Sequence, residues 1–321
     1  MAEPTTPTFD VTGIGLNATD TVFRVPHFPA YGGKVPFADE HYSVGGQMAS
    51  AIVTCAKLGL RSKYIGAVGD DYRGRLQLES LEQSGVNIDD VRRRTNCPNQ
   101  SAYIVIDEAT GERTVFWNHA DCLTLQPDEI TPDQIIGTRL LHVDCHDTAA
   151  VEKAARIASA NDIPVTADVD TLYAGFDRVL PFIDYLVASS EFPARLTGIE
   201  DPFKALTAIQ ERHGMKVAAM TLGGHGSLAL IEGRFVYSPA FVVNCVDTTG
   251  AGDVFHGAFC YALLQNMPIA DALGFSIAMA ALNCTKMGAR GGIATLAEAN
   301  ALLVRGERRS RTDVAARSSL T

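Results

Sequence analysis

Residues 140–143, 165–167, 185–187 and 217–221 are short apolar runs separated by longer stretches of mixed polarity. Unbroken apolarity over three to five residues fits strands covered on both faces. Residues 148–160 place apolar side chains at helical spacing, and residues 191–196 predict a shorter helix. Such alternation predicts an α/β fold with a mostly parallel central sheet and helices on both faces. Nearer the N-terminus, 9–16 and 62–68 read as strands, and 46–58 and 71–83 as helices. Residues 21–25 and 35–44 look extended but are broken by prolines and glycines. Residues 101–106 and 113–117 flank a glycine-bearing loop and predict a hairpin. The segments near 21–44 and 99–118 fall outside the alternation and predict a small β-rich lid. Gly45-Gly46 lies where lid and core join. It reads either as a hinge or as a close-approach point where a helix starts.

The densest chemistry lies in Asp247-Thr-Thr-Gly-Ala-Gly-Asp253. The apolar run before it, 241–246, predicts a buried strand, and the run after it, 254–264, a buried helix. Gly250, Ala251 and Gly252 would then sit at a helix start. Amides there have no intrahelical partner, and together with the helix dipole they favour an anion such as phosphate. Small residues let that anion approach the backbone. Asp253 would repel a static phosphate, but it makes sense as the base that deprotonates a hydroxyl beside one.

This stretch, with Val-Phe-His-Gly-Ala-Phe after it, resembles the second signature of the ribokinase-like (PfkB) carbohydrate kinases. Gly45-Gly46 followed by Ala56-Lys-Leu-Gly59 resembles the first, and the likeness covers roughly residues 9–305. The resemblance implies a ribokinase-like kinase domain over 1–305, with the lid described above and a flexible basic tail at 306–321. It implies transfer of the γ-phosphate of ATP to a hydroxymethyl group of a small sugar. Asp253 would be the base and the amides of 250–252 the phosphate cradle. Asp20, Lys34, Gly45, Gly46 and Asn118 would meet the sugar, and Thr221, Gly223, Gly226 and Asn283 the nucleotide. Glu191 would serve a magnesium ion through water, and groups at Asp247 and Thr249 a potassium ion. Pairing of two copies through the lid is also implied. The chain departs from the family pattern at three places. Ser50 stands where many members have Asn, and Ala188 where Asn commonly precedes Glu191 by three residues. No arginine follows the strand at 140–143, where a sulfosugar kinase would have one. The phrase Asp253-Val-Phe-His-Gly and residues 281–293 are nearest to kinases of fructose-like ketoses. Kinases of nucleosides stay open, with Tyr103, Phe116 and Trp117 as a base clamp or as core. A non-catalytic sugar or nucleotide sensor is the reading from outside enzymology, and an intact Asp253 disfavours it.

Composition narrows the picture. The chain has 321 residues, 46% hydrophobic, and a formal charge of −10. That suits one large domain and argues against nucleic acid as the main partner. No apolar run reaches the roughly 20 residues that span a bilayer, and the polar N-terminus is not a secretory signal. The seven cysteines (55, 97, 122, 145, 245, 260 and 284) form no Cys-x-x-Cys pair. They predict small, mostly buried thiols of a reduced, cytoplasmic protein. Lys286 and Arg290 read as solvated surface charges or as neighbours of the nucleotide. His142, His146 and Asp147 fit neither a zinc spacing nor a hydrolase triad.

Overall fold

The computed structural model describes residues 7–109 and 113–310. In chain order the elements begin β1 (Phe9–Ile14), β2 (Ala18–Val25), β3 (Asp39–Gly45), α1 (Gln47–Lys57), β4 (Ser62–Ile65), β5 (Ala67–Gly69) and α2 (Tyr72–Gln83). They continue with β6 (Arg92–Arg94), β7 (Ser101–Asp107), β8 (Arg113–Asn118), α3 (Pro132–Ile135), β9 (Thr138–Val143), α4 (Thr148–Ser159) and β10 (Val165–Val169). Then come β11 (Tyr185–Ala188), α5 (Phe192–Thr197), α6 (Pro202–His213), β12 (Val217–Thr221), β13 (Gly226–Ile231), β14 (Arg234–Pro239), α7 (Ala251–Leu264), α8 (Ile269–Asn283) and α9 (Leu296–Arg305).

The main sheet runs β14-β13-β12-β11-β10-β9-β1-β4. From β4 to β12 every pairing is parallel, and β13 and β14 add an antiparallel edge. Side chains alternate between the two faces, as strand geometry requires. Ala218 and Met220 pack with Val151, Ala155, Leu206 and Ile209 of α4 and α6. Val217 and Ala219 pack with Phe255, Phe259 and Ala278 of α7 and α8. Both faces are therefore dry, which explains the short continuous apolar runs. The parallel strands end at Ile14, Val143, Val169, Ala188 and Thr221, so their carboxyl ends define one rim, where ligands of such sheets bind.

A second sheet, β3-β2-β7-β8, comprises most of the two segments that break the alternation. Its hairpin β7–β8 is antiparallel, whereas β2 and β7 pair in parallel across some eighty residues of chain. The loop tip at 110–112 lies outside the described residues.

Several expectations are corrected. Residues 241–246 form no strand, and only Phe241 bridges, to Arg308. Their apolar side chains are divided instead: Phe241, Val243 and Cys245 line a cavity, while Val242 and Val246 are exposed. The strand expected at 62–68 is two, β4 in the main sheet and β5 paired with β6. Residues 35–38 are not in a strand. The start of the tail is docked: Val242 donates to the Glu307 carbonyl (2.9 Å) and Arg309 to that of Ala240 (2.9 Å). The Arg308 guanidinium lies 4.1 Å from the Phe241 ring centre. Residues 311–321 lie outside the described residues. Cys97 and Cys122 form a disulfide, because the η-turn region after β8 returns to the β6–β7 connection. Cys245 is exposed, and Cys55, Cys145 and Cys260 are buried free thiols. Among the described residues no helix is long and apolar enough to cross a membrane.

Candidate active site

Gly250 caps α7 at φ 73°, in the left-handed region. A Cβ there would overlap the Ala289 carbonyl, so both the conformation and the close approach require glycine. The turn is stitched to the segment after α8. Asp247 accepts from the amides of Thr249 (2.9 Å) and Gly288 (2.8 Å). The Asn283 amide donates to the carbonyls of Thr249 (3.2 Å) and Ala289 (3.1 Å), and its oxygen accepts from the Gly292 amide (3.1 Å). Asn283 is fully buried and lines neither large cavity. Its hydrogen bonds hold the turn in shape. Of the three amides in the Gly-Ala-Gly turn, that of Ala251 is engaged by the Thr248 carbonyl (3.2 Å).

One large cavity is lined by this turn, and a second by the 287–291 segment that abuts it. The first, about 400 Å³, is lined by Thr221, Gly223, Gly226, Ala251, Gly252 and Phe255, among others. It is mostly apolar, with α7 and α8 on one side and the loop after β12 on the other. Thr221 sits at the end of β12 and donates to the Ala188 carbonyl at 3.4 Å. The second, about 810 Å³, lies between the turn and the second sheet. Asp20, His41, Arg73, Ala289 and Arg290 are in its lining.

Asp253 lies in the first turn of α7 between the two, partly exposed, and lines neither cavity itself. Burial pushes its carboxyl up to about 8. The charge of Asp168 pushes the same way, and Arg290 opposes. Asp20 is 8% exposed and sits past β1, within β2. Burial raises it to about 6, again against the pull of Arg290. A Cβ on Gly45 would stand 3.1 Å from its carboxylate. Gly46, at φ 92°, caps α1 with its Cβ position occupied by Asn17 backbone, so the Gly45-Gly46 pair marks a close approach.

The arginine facing both carboxylates was not legible as such. Arg290 is 8% exposed, not a solvated surface charge. It donates to Ser50 (3.1 Å), Ser80 (3.0 Å), the Gly45 carbonyl (2.8 Å) and Gln77 (3.3 Å). Ser50, where many relatives have Asn, is thus a partner of the arginine. Burial lowers Arg290 to about 10, with Asp253, Tyr64 and Asp20 restoring part of that loss. Asp168, near the end of β10, forms a buried pair with His256 at 3.0 Å that the sequence did not announce. Burial opposes the Asp168 charge, but His256 more than compensates and holds that carboxyl below its ordinary value.

The remaining sequence candidates line neither large cavity. Glu191 caps α5, is mostly exposed and pairs with Arg195. Lys34 and Asn118 are exposed and line neither large cavity. His142 is fully buried and stacks on His256 (5.8 Å). Tyr103, Phe116 and Trp117 are exposed and belong to no core.

Fold and site thus set a glycine turn and a first-turn carboxylate beside a mostly parallel sheet. The family model described as pfkB family carbohydrate kinase matches residues 10–296. The ribokinase of Haemophilus influenzae is 28% identical over 294 residues, 90% of this chain and 96% of that protein. An ATP-dependent ribose-1-phosphate kinase of Halopiger xanaduensis is 30% identical over 278 residues, 84% of this chain and 90% of that protein. The crystal structure of ribokinase from Thermotoga maritima superposes with a TM-score of 0.79 at 25% identity, covering 92% of this chain and 100% of that one. The chain belongs to the pfkB family of carbohydrate kinases. It is a phosphotransferase with an alcohol group as acceptor, on a ribokinase-like fold. These relatives lend no support to a fructose-like ketose as acceptor.

Proposed function

We propose that the protein transfers the γ-phosphate of ATP to a hydroxymethyl group of a small sugar. The observation that carries this is the Gly250–Gly252 turn, which lines one cavity and abuts Ala289 of the other, with Asp253 one residue further into α7. The smaller, apolar cavity suits the nucleotide, with Gly223, Gly226 and Thr221 beside its phosphate end. The larger suits the sugar, whose hydroxyls Asp20 can accept in pairs. The ribokinase relatives favour a ribose-like sugar, and fructose and its 6-substituted forms are the second reading from the motif at 281–293. Asp253 takes the hydroxyl proton as attack begins, and the turn's amides bear charge on the transferred group. Burial makes the ionised form of Asp253 a stronger base but a scarcer one near neutral pH, and the nearby Arg290 charge favours that form.

Magnesium would enter with the nucleotide. Hard divalent cations take oxygen ligands and keep several waters. Among the described residues no cluster of three metal-binding side chains exists. A single carboxylate, Glu191, three residues past the end of β11, fits a water-mediated role and not a protein-built cage. When bound, the ion would neutralise charge on the phosphate oxygens. Carbonyls near Asp247 and Thr249 are the proposed neighbours of a potassium ion.

Asp253→Asn keeps the shape and removes the base. The turnover rate should fall by about 10²- to 10⁴-fold while ATP still binds. The check is steady-state kinetics on a sugar panel beside calorimetric titration of ATP, in potassium and in sodium buffer. Near-normal kcat in the variant defeats the assignment, and equal wild-type rates in both buffers remove the potassium site.

A further inference from the structure

Arg73, from the first turn of α2, is a cation of the larger cavity whose charge reaches Asp20 but which makes no direct hydrogen bond to a carboxylate in its contacts below. Its contacts are neutral and mostly long. They are the Thr19 carbonyl (3.5 Å) and hydroxyl (3.3 Å), the Thr21 hydroxyl (3.5 Å) and the Tyr103 hydroxyl (2.9 Å). Its guanidinium also faces the Tyr103 ring at 5.1 Å. The side chain is half-buried, and bonds of 3.3–3.5 Å leave most of its five donors weakly used. His41, from β3, lines the same cavity, with its ring beside Gly288. The acidic groups near Arg73 are already committed. Asp20 faces Arg290 as well, and Asp247 is held by two amides. A neutral sugar needs acceptors for its hydroxyls, which Asp20 supplies. It does not need a guanidinium fork at the second-sheet end of the cavity. That fork matches the paired oxygens of phosphate or carboxylate.

We infer that the acceptor carries an anionic group, a phosphate or carboxylate, and that Arg73 binds it at the second-sheet end of the larger cavity, remote from Asp253. This rests on the kinase reading above and narrows its substrate class. The anion is the acceptor's own and stays on it. The transferred phosphoryl group passes from ATP to the free hydroxyl, whose proton goes to Asp253.

Matched acceptors that keep a free hydroxymethyl group test it: ribose with ribose 1-phosphate, fructose with fructose 6-phosphate, and gluconate for the carboxylate. In the wild type, kcat/KM should favour the anionic member of at least one pair by tenfold or more. Arg73→Gln should lower that anionic-to-neutral ratio by roughly 10- to 100-fold, the worth of one hydrogen bond to a charged group, and Arg73→Lys should recover part of it. If Arg73 merely ties α2 to the second sheet, Arg73→Gln lowers both members in proportion. An unmoved ratio, or a wild-type preference for the neutral sugars, overturns the inference. If none of these acceptors is turned over, the kinase reading of the site fails instead. Calorimetric binding of the same pairs then decides the anion subsite separately: selective loss of the anionic member's binding in Arg73→Gln upholds it, and equal binding overturns it.

Discussion

At the scale of single residues, the site sets catalytic need against stability. Asp253 and Asp20 are carboxyls in a crowded cleft, and burial disfavours their ionised forms. The folded chain holds the Asp253 proton up to about pH 8, whereas an unfolded carboxyl releases it near 4. Between those values the folded state binds more protons than the unfolded, so this residue makes stability fall as pH rises. Asp253→Asn removes that slope. The variant's melting temperature should exceed the wild type's at pH 8 to 9, and the difference should shrink steadily towards pH 4. Differential scanning calorimetry across that range checks it, and a constant offset between the two proteins would contradict it. Asp253 was legible in the sequence because its meaning is local: glycines just before it and an apolar helix just after. Arg290 was not. Its partners Ser50, Gln77 and Ser80 lie more than 200 residues away, and an arginine among glycines looks solvated until the fold closes over it. The pairing of Asp168 with His256 was hidden for the same reason, since a strand-end acid and a histidine inside the signature phrase lie 88 residues apart in the chain.

At the scale of elements, what was readable was whatever a period determines. The parallel strands and α4 follow from side chains that must be dry on two faces or on one. The failure at 241–246 is instructive, because a short apolar run meant cavity lining on one side and exposure on the other, not sheet pairing. Apolarity alone does not say which surface a run will meet. The α7 start rests on conformations more than on side chains, and its glycines are not equivalent. Gly250 is left-handed and abuts the Ala289 carbonyl, while a Cβ on Gly252 would meet nothing within 4 Å. Gly250→Ala therefore costs about 1–2 kcal/mol from the left-handed backbone alone, and more from an overlap with backbone that moves only with the whole stitched segment. Its kcat should fall further still, by about 10²-fold or more, as an amide aimed at the phosphate turns aside. Gly252→Ala should fold with wild-type stability. Thermal unfolding and kinetics of the two variants side by side decide this, and equal melting temperatures would refute the distinction.

At the scale of the whole molecule, apolar side chains are shared out unevenly. The main sheet buries nearly all of its own, while β8 exposes Val115 at 45%, Phe116 at 55% and Trp117 at 68%. That strand is also an edge of the second sheet, so unpaired backbone groups and large side chains coincide there. Sequence reading left Phe116 and Trp117 as core or base clamp, because an aromatic run looks the same whether a protein interior, a ligand or a second copy covers it. In a chain of formal charge −10, an uncovered aromatic edge is a place where self-association meets little charge repulsion. We propose that two copies pair through the second sheet, with β8 against β8 as the simplest symmetric arrangement. Such pairing would also steady the wall of the larger cavity that β2 and β3 provide. Light scattering after size exclusion should give a dimer at micromolar concentration, and Val115→Glu combined with Trp117→Glu should give a monomer of unchanged fold by circular dichroism. Pairing through the second sheet would further predict a higher KM for the sugar in that monomer with little change in KM for ATP, since the nucleotide cavity has no wall in that sheet. A wild-type monomer at tens of micromolar, or a double variant that remains dimeric, would show that this edge is covered some other way.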